Sequence, residues 1–385
     1  MTAPRRILPG HTWFSTRRTT RRTFLLRPDE DGIAQQIYWY ATAVLALKFG
    51  IELHVVQVLS SHIHEVLTDP YGNLPDFTRE RNRAIANAFK RHRDWPEEVF
   101  QRAPGSYVDL LTPASVLNEI AYSLVNCVEA GLVDHPDEWP GVTVSVNDIG
   151  RRTVHVERPG VYFAKNNPDW PERVSIDLVM PQMLIQVFRD ADSAREAIRD
   201  RFEKALAGAR SVASNLRRVM KEVLRDAAKR AARVCAVPYT RQAQTAEPRR
   251  KRNPAFAAAA DREVFERARA EMAEFREAYA GARERLRRGE LDPNFPPGTW
   301  RLTREFLRPR APPHRRSAEA PATHTPGARP EERVKAGPPV STACASPAPA
   351  TRRDRRAFSD LRRSGSSARS IVPGPAATRP GAWKD

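Results

Sequence analysis

The sequence has little cysteine: its three cysteines, Cys127, Cys235 and Cys344, lie far apart in 385 residues. An odd number of separated cysteines indicates neither a disulfide framework nor a cysteine zinc site. This usage fits a reducing compartment, and we expect a cytoplasmic protein.

Long hydrophobic runs are also lacking. The longest apolar region, 37–59, is interrupted by Lys48, Glu52 and His54, and the run 179–188 is too short to span a bilayer. The first residues are rich in Arg and Thr, as in a transit peptide, but they have no apolar signal-peptide core. We therefore predict no membrane span. Residues 12–16 have a strand pattern, which favours a folded N-terminus over a targeting peptide.

Acidic residues are in deficit, with 46 Asp and Glu against 64 Lys and Arg, which gives a net charge of +18. This balance excludes an acidic solvating chain and favours a polyanionic partner, either nucleic acid or an anionic membrane surface. Apolar residues make up 41% of the chain, enough for a sizeable core. The length suggests about two or three domains.

The residues from 310 to 385 are a mixture of Pro, Ala, Arg, Ser and Thr, with almost no large apolar side chains after Phe358 and Leu361. Such a segment buries too little surface to offset its ordering entropy. We predict a disordered basic tail, a solvated appendage with non-specific attraction to polyanions.

In residues 1–150 strand patterns alternate with helix patterns. The predicted strands are near His11–Leu26, Glu52–Leu59, His62–Thr68 and Phe100–Leu111, and the predicted helices are near Asp31–Phe49, Asp76–His92 and Pro113–Ala130. Thr112 precedes the last helix as N-cap and Gly131 ends it. The order βαββαβα predicts the α+β class, with a ferredoxin-like split βαβ sheet and one added helix.

After residue 150 the sequence indicates a helical extension on the C-terminal side of the first domain. We expect a connector at 151–180, a helical region at 181–237 and, at 238–309, a basic linker followed by a helix near Asp261–Gly289. Ser193 followed by Glu196 is a capping-box signature for the first of these helices. Arg and Lys crowd the outer helix faces, which are either solvated or directed at nucleic acid.

Two histidines stand as His62-Ile63-His64 in a predicted strand. Because side chains alternate across a strand, both imidazoles share one face while Ile63 points to the other. Two imidazoles on one face can converge on a metal ion. A surface strand with two solvated histidines is an equal interpretation of the pair alone.

The helix Pro113–Ala130 adds to this pattern. Leu117, Ile120, Leu124 and Val128 form its apolar stripe, while a polar stripe contains Tyr122 and Asn126, one turn apart. With a rise of about 6 Å between them, a phenol and an amide oxygen can address one small volume, as nucleophile and metal ligand. On the helix alone, a half-buried packing tyrosine is the competing interpretation.

The strand with His62 and His64, followed by a helix with Tyr122, Asn126 and an Ala-Gly-Leu-Val ending at Val133, resembles the HUH-type single-tyrosine transposases. The REP-associated tyrosine transposase family is the closer likeness, over about residues 5–139. The opening His-Thr-Trp-Phe-Ser-Thr-Arg-Arg is similar to that family's first strand. Parts of 249–302 are more weakly similar to a C-terminal extension of some bacterial relatives.

The sequence departs from this family pattern on both sides of the predicted site. Relatives commonly have Met-Pro-Asn before the histidines and Asn-Pro-Val-Arg after the tyrosine, where this chain has Leu-Ser-Ser at 59–61 and Asn-Cys-Val-Glu at 126–129. The catalytic positions are kept. The acidic Glu129 in place of a basic residue leaves open whether the chain has diverged in substrate or lost activity.

The resemblance implies that His62, His64 and Asn126 bind Mg²⁺ or Mn²⁺, and that Tyr122 attacks a phosphodiester of single-stranded, hairpin-associated DNA. It implies a 5′-phosphotyrosine intermediate in DNA transposition and an association with the nucleoid. Ligand preference alone would favour Mn²⁺ or Zn²⁺ over Mg²⁺. Candidate phosphate contacts, each equally interpretable as a solvated charge, are Arg17, Arg18, Arg21, Arg22, Lys90, Arg91, Arg93 and Arg102.

Three alternatives remain at this level. The domain could be a domesticated, catalytically silent DNA-binding protein that recognises hairpin repeats. It could be a replication or conjugation nicking enzyme, although here the histidines precede the tyrosine, the order that resembles transposases. A basic RNA-binding protein explains the charge but not His62, His64, Tyr122 and Asn126. We expect no membrane partner and a monomer in preference to a homodimer.

Overall fold

A computed structural model describes residues 4–160, 162–219, 234–243, 254–290 and 293–300. Every element below belongs to the compact unit Met1–Glu319. The predicted tail at 310–385 and residues 220–233 of the predicted helical region lie outside the described residues. Within the described part of the chain, no helix is both long and apolar enough to cross a membrane.

The N-terminal elements follow the predicted order. The strands are β1 (His11–Arg18), β2 (Glu52–Leu59), β3 (His62–Asp69) and β4 (Ser106–Leu110), and the helices are α1 (Ile33–Phe49), α2 (Leu74–His92) and α3 (Pro113–Glu129). The sheet order β2-β3-β1-β4, with antiparallel neighbours, is that of a split βαβ fold. The predicted α+β class is confirmed.

Later elements complete the unit. They are β5 (Thr153–Glu157), β6 (Arg173–Asp177), α4 (Gln182–Phe188), α5 (Ala191–Val219), β7 (Phe256–Ala257) and α6 (Arg262–Arg287). β5 and β6 form a separate hairpin in a region for which the sequence analysis assigned no strand, and β7 extends the main sheet by pairing parallel to β4.

The predicted capping box at Ser193 is wrong. Helix α5 begins at Ala191, and the Asp190 carboxylate accepts the backbone N–H groups of Asp192 and Ser193. A carboxylate placed before the helix satisfies the first free amides directly, so Ser193 lies inside the first turn.

Two predicted strands are shorter than expected. β1 ends at Arg18 instead of Leu26, because Arg21 and Arg22 adopt left-handed backbone angles, φ 49° and 56°, that no strand accepts. β4 begins at Ser106 instead of Phe100: Pro104 has no N–H to donate to a ladder, and Phe100 makes only an isolated bridge to Thr19.

The sheet is covered on both faces, and the alternation along β3 decides which side chains face which layer. Glu65 points toward α1 and α2, where its carboxylate accepts Tyr38 Oη–H at 2.5 Å and pairs with Arg81. His62 and His64 point the other way, toward α3. Because α5 packs on the outer side of α3, that helix is buried almost all round.

A β-bulge in β2 turns a buried histidine toward the α3 face. The pairing with β3 shifts between Leu53 and Val55, and the intervening His54 is fully buried. Its Nδ1–H donates to the Val179 carbonyl and its Nε2 accepts from Thr68 Oγ1, both at 2.8 Å. Burial lowers the pKa of His54 to about 4.

This histidine predicts a loss of stability in acid. Below about pH 6.5 the imidazole binds a proton in the unfolded chain, whereas His54 in the folded chain stays neutral down to about pH 4. The contribution of His54 to the free energy of unfolding is therefore complete above about pH 6.5 and decreases as the pH falls toward 4. Between about pH 7.5 and pH 5 we expect a loss of about 2 kcal/mol. Urea unfolding of the wild-type chain and of His54→Gln at both pH values measures it. Equal pH dependence in the two chains would contradict the assignment.

Candidate active site

The strand β3 and the helix α3 bring the predicted site residues together. The rings of His62 and His64 lie 4.7 Å apart and nearly perpendicular, at 89°. His62 Nε2 is 3.1 Å from Asn126 Oδ1, and the His64 ring is 5.5 Å from the Tyr122 ring. Residues more than 50 positions apart in sequence thus share one side of the sheet.

Exposure distinguishes the tyrosine from the residues beside it. His64 and Asn126 are buried, at 4% and 8%, whereas Tyr122 is 39% exposed. The Tyr122 ring also stands edge-on to Phe14, with centroids 6.0 Å apart. A large substrate can therefore reach the phenol from solvent, while the imidazole and the amide stay fixed behind it.

Neighbouring side chains that the sequence analysis did not single out hold the two imidazoles. Thr16 Oγ1 lies 3.2 Å from His64 Nδ1, and Ser61 Oγ lies 3.1 Å from His62 Nδ1. Phe14 stacks on the His64 ring at 5.4 Å and 3°. These contacts engage Nδ1 of each ring, which orients Nε2 as the ligand atom. Thr16 and Phe14 reach His64 only through the register of β1 against β3, which no local sequence pattern reveals.

The electrostatic environment keeps both imidazoles neutral. Burial lowers the pKa of His62 to about 4, and the positive charges of Arg18 and Arg22 act in the same direction. Burial likewise lowers the pKa of His64 well below its usual value, with His62 and Arg18 adding to the effect. Neutral imidazoles are the form that binds metal ions.

The donor set fits a divalent cation. Among the described residues no group of three or more His, Cys, Asp and Glu side chains could hold a metal ion, so a metal ion beside the two histidines would need the Asn126 amide as a third ligand. His62 Nε2 and Asn126 Oδ1 already face each other, and His64 lies beside His62. Two imidazole nitrogens and one amide oxygen suit Mn²⁺ and related first-row ions.

A short turn next to the histidines, Thr19–Thr23, is held by several segments; we call it the arginine turn. Thr19 donates through its N–H and its Oγ1 to the Ser61 carbonyl at 2.9 and 3.0 Å, which ties the turn to the β2–β3 hairpin. Thr20 N–H donates to Val99 O at 2.8 Å, and Ala243 N–H donates to Arg22 O at 3.2 Å. Consecutive left-handed non-glycine residues are strained and persist only where surroundings fix them.

Two of the predicted basic residues lie close to the histidines: Arg18 ends β1 just before the arginine turn, and Arg22 lies within it. Arg18 and Arg22 are the ones whose charges act on His62. Arg21, between them, forms an ion pair with Glu97. We infer that Arg18 and Arg22 form a cationic rim on the His62 side of the site, on a backbone that the arginine turn fixes.

The remaining predicted basic residues have other positions. Arg17 donates to the carbonyls of Gln101 and Ala103, both at 2.6 Å, and Arg102 pairs with Glu98. Arg93 is buried, and its guanidinium donates to Asp29 at 2.5 Å. Lys90 and Arg91 lie in the last turn of α2, the helix that covers the opposite face of the sheet.

Comparison with known proteins gives a partial match to a solved structure. No family model matches the sequence, and no curated protein matches it. A solved structure described as a REP-associated tyrosine transposase bound to a REP hairpin is 22% identical, and the match covers 39% of this chain and 87% of that chain with a TM-score of 0.33. A TM-score this low supports neither a shared fold nor a shared activity. Any function of this chain is therefore argued from the contacts around His62 and Tyr122.

Proposed function

We propose that the protein is a metal-dependent endonuclease and strand transferase acting on single-stranded, hairpin-associated DNA in transposition. One observation carries the proposal: an exposed phenol, Tyr122, stands beside His64 on the face where His62 Nε2 meets Asn126 Oδ1 at 3.1 Å. A nucleophile next to a set of neutral ligand atoms is the arrangement that phosphoryl transfer requires.

The chain's own residues supply the nucleophile and the positioning. Tyr122 Oη attacks the scissile phosphorus, the bond from phosphorus to the 3′ oxygen breaks, and the phenolic proton leaves through solvent to the departing 3′ oxygen. The 5′ phosphate is then esterified to Tyr122, and attack by another 3′-hydroxyl rejoins a strand without external energy. Mg²⁺ or Mn²⁺ held by His62, His64 and Asn126 would neutralise charge on the non-bridging oxygens.

The cationic rim fits the phosphate backbone of the substrate. Arg18 and Arg22 contribute positive charge at His62, and the arginine turn is fixed to the hairpin that carries the histidines. Contacts of this kind position a strand without reading its bases. We therefore expect strong salt dependence of DNA binding from these two residues.

The test is covalent capture. Purified full chain is incubated with labelled hairpin-bearing single-stranded DNA and Mg²⁺, Mn²⁺ or a chelator, and the products are separated on a denaturing gel. We expect a protein–DNA adduct that needs the metal and vanishes with the chelator. Binding without an adduct under every metal would overturn the proposal and leave a DNA-binding protein without catalysis.

A further inference from the structure

A hydroxyl–imidazole–carboxylate chain lies on the other side of the sheet from Tyr122. Tyr162 Oη is 2.8 Å from His92 Nδ1, and His92 Nε2 is 2.6 Å from Asp29 Oδ2. The three residues come from the β5–β6 loop, the end of α2 and the segment before α1. None of them contributes to the site around Tyr122.

The carboxylate end of this chain is fixed. Asp29 Oδ1 accepts from Arg93 at 2.5 Å and from Arg27 at 3.2 Å. Burial acts to raise the pKa of Asp29, but the hydrogen bonds from His92 and Arg93 outweigh it and lower the pKa. An ionised carboxylate only accepts, so His92 carries a proton on Nε2, and in the neutral ring the Nδ1 lone pair faces the phenol.

The phenol end is also held in place. Phe163, next to Tyr162, packs against Tyr40 and Trp170 with ring centroids 4.8 Å away in both cases. Arg158 Nη1 donates to the Trp170 carbonyl at 2.8 Å and closes the loop on itself. Tyr162 itself is only partly buried, so part of the residue is open to solvent.

We propose that Tyr162 is a base-activated nucleophile, with His92 as its base and Asp29 as the group that orients the base. A hydroxyl whose proton can pass to an oriented imidazole is the shared feature of covalent catalytic chains. Exposed cations lie close in sequence, with Arg91 directly before His92 and Lys165 three residues after Tyr162, and they favour an anionic electrophile. The substrate class is a phosphoric ester or anhydride with a good leaving group.

In the step, Tyr162 Oη forms a bond to phosphorus, the bond to the leaving group breaks, and the phenolic proton passes to His92 Nδ1. The probe is an alkyl fluorophosphonate, from which fluoride departs. The full chain is treated with it, and modification of each tyrosine is followed by peptide mass spectrometry. Tyr71, which is 49% exposed, is the control within the same molecule.

We expect Tyr162 to react at least about ten-fold faster than Tyr71, and His92→Gln to remove that advantage. The result should be the same in the Tyr122→Phe chain, which separates this site from the proposed nuclease site. Reaction at Tyr162 no faster than at Tyr71 would overturn the proposal, as would an unchanged rate in folded His92→Gln. The comparison of the two tyrosines is made in the wild-type chain and does not depend on any variant folding.

Discussion

Tyr122→Phe is expected to reduce the yield of covalent DNA adduct by at least about a thousandfold, because no other group can take the place of the lost nucleophile. The phenyl ring keeps the contacts of Tyr122 with His64 and Phe14, so the fold and the positions of the two histidines stay unchanged. Affinity for the same DNA, measured by fluorescence anisotropy, should change by less than about threefold.

The matched control is Tyr71→Phe. Tyr71 is also exposed but lies at the far end of β3 from His62, so its loss should leave adduct formation unchanged. An adduct that persists in Tyr122→Phe would place the nucleophile elsewhere. Mapping of the labelled peptide would then show which residue carries the DNA.

The largest stability effect is expected at the buried ion pair between β3 and α2. Glu65 and Arg81 are both fully buried, and Arg81 also lies over the Phe77 ring at 4.9 Å. Burial acts to lower the pKa of Arg81, but the charge of Glu65 outweighs it and raises the pKa. Arg81→Met leaves the carboxylate without its countercharge in an apolar interior. We expect a loss of about 3 to 5 kcal/mol in unfolding free energy, measured by urea denaturation.

A double-variant cycle identifies the cause of that loss. Glu65→Gln combined with Arg81→Met removes both charges and keeps a group that can accept the Tyr38 hydroxyl. It should recover at least about 1 kcal/mol of the loss seen in Arg81→Met. If the double variant is less stable than Arg81→Met, lost packing around Phe77 explains the loss better than an unpaired charge.

This ion pair also bears on the candidate site. Glu65 follows His64 directly, and the side chains of a strand alternate between faces. A slip of β3 by one residue would turn Glu65 toward Tyr122 and bury both histidines under α1 and α2. The pair therefore stabilises the register that places His62 and His64 on the same face as Tyr122.

Much of the fold could be predicted because its signals are local. The capping oxygen of Thr112 and the left-handed Gly131 bound α3 as the sequence suggests. Strand boundaries were predicted less well. The backbone angles at Arg21 and Arg22 depend on hydrogen bonds that the turn donates to the Ser61 and Val99 carbonyls and accepts from Ala243 N–H, all distant in sequence.

The candidate site likewise has features that local sequence patterns predict and features that depend on tertiary contacts. Alternation along a strand and the four-residue turn of a helix indicated that His62 and His64 share a face, and that Tyr122 and Asn126 do too. Which of the basic residues lie near them depends on tertiary contacts. Arg93 and Arg22 both stand in basic stretches of the sequence, but Arg93 is buried and donates to Asp29. The contact of Tyr162 with His92 joins residues 70 positions apart and has no local signal.

The pairing of β7 with β4 has a consequence for synthesis of the chain on the ribosome. Asp109 and Leu111 donate their N–H groups to Ala255 and Ala257, so β4 has an open edge until that distant segment has emerged. An unpaired edge strand is a template for pairing with other chains. Nascent chains that pause before residue 255 therefore expose this edge for longest, and they are the ones that most need a chaperone.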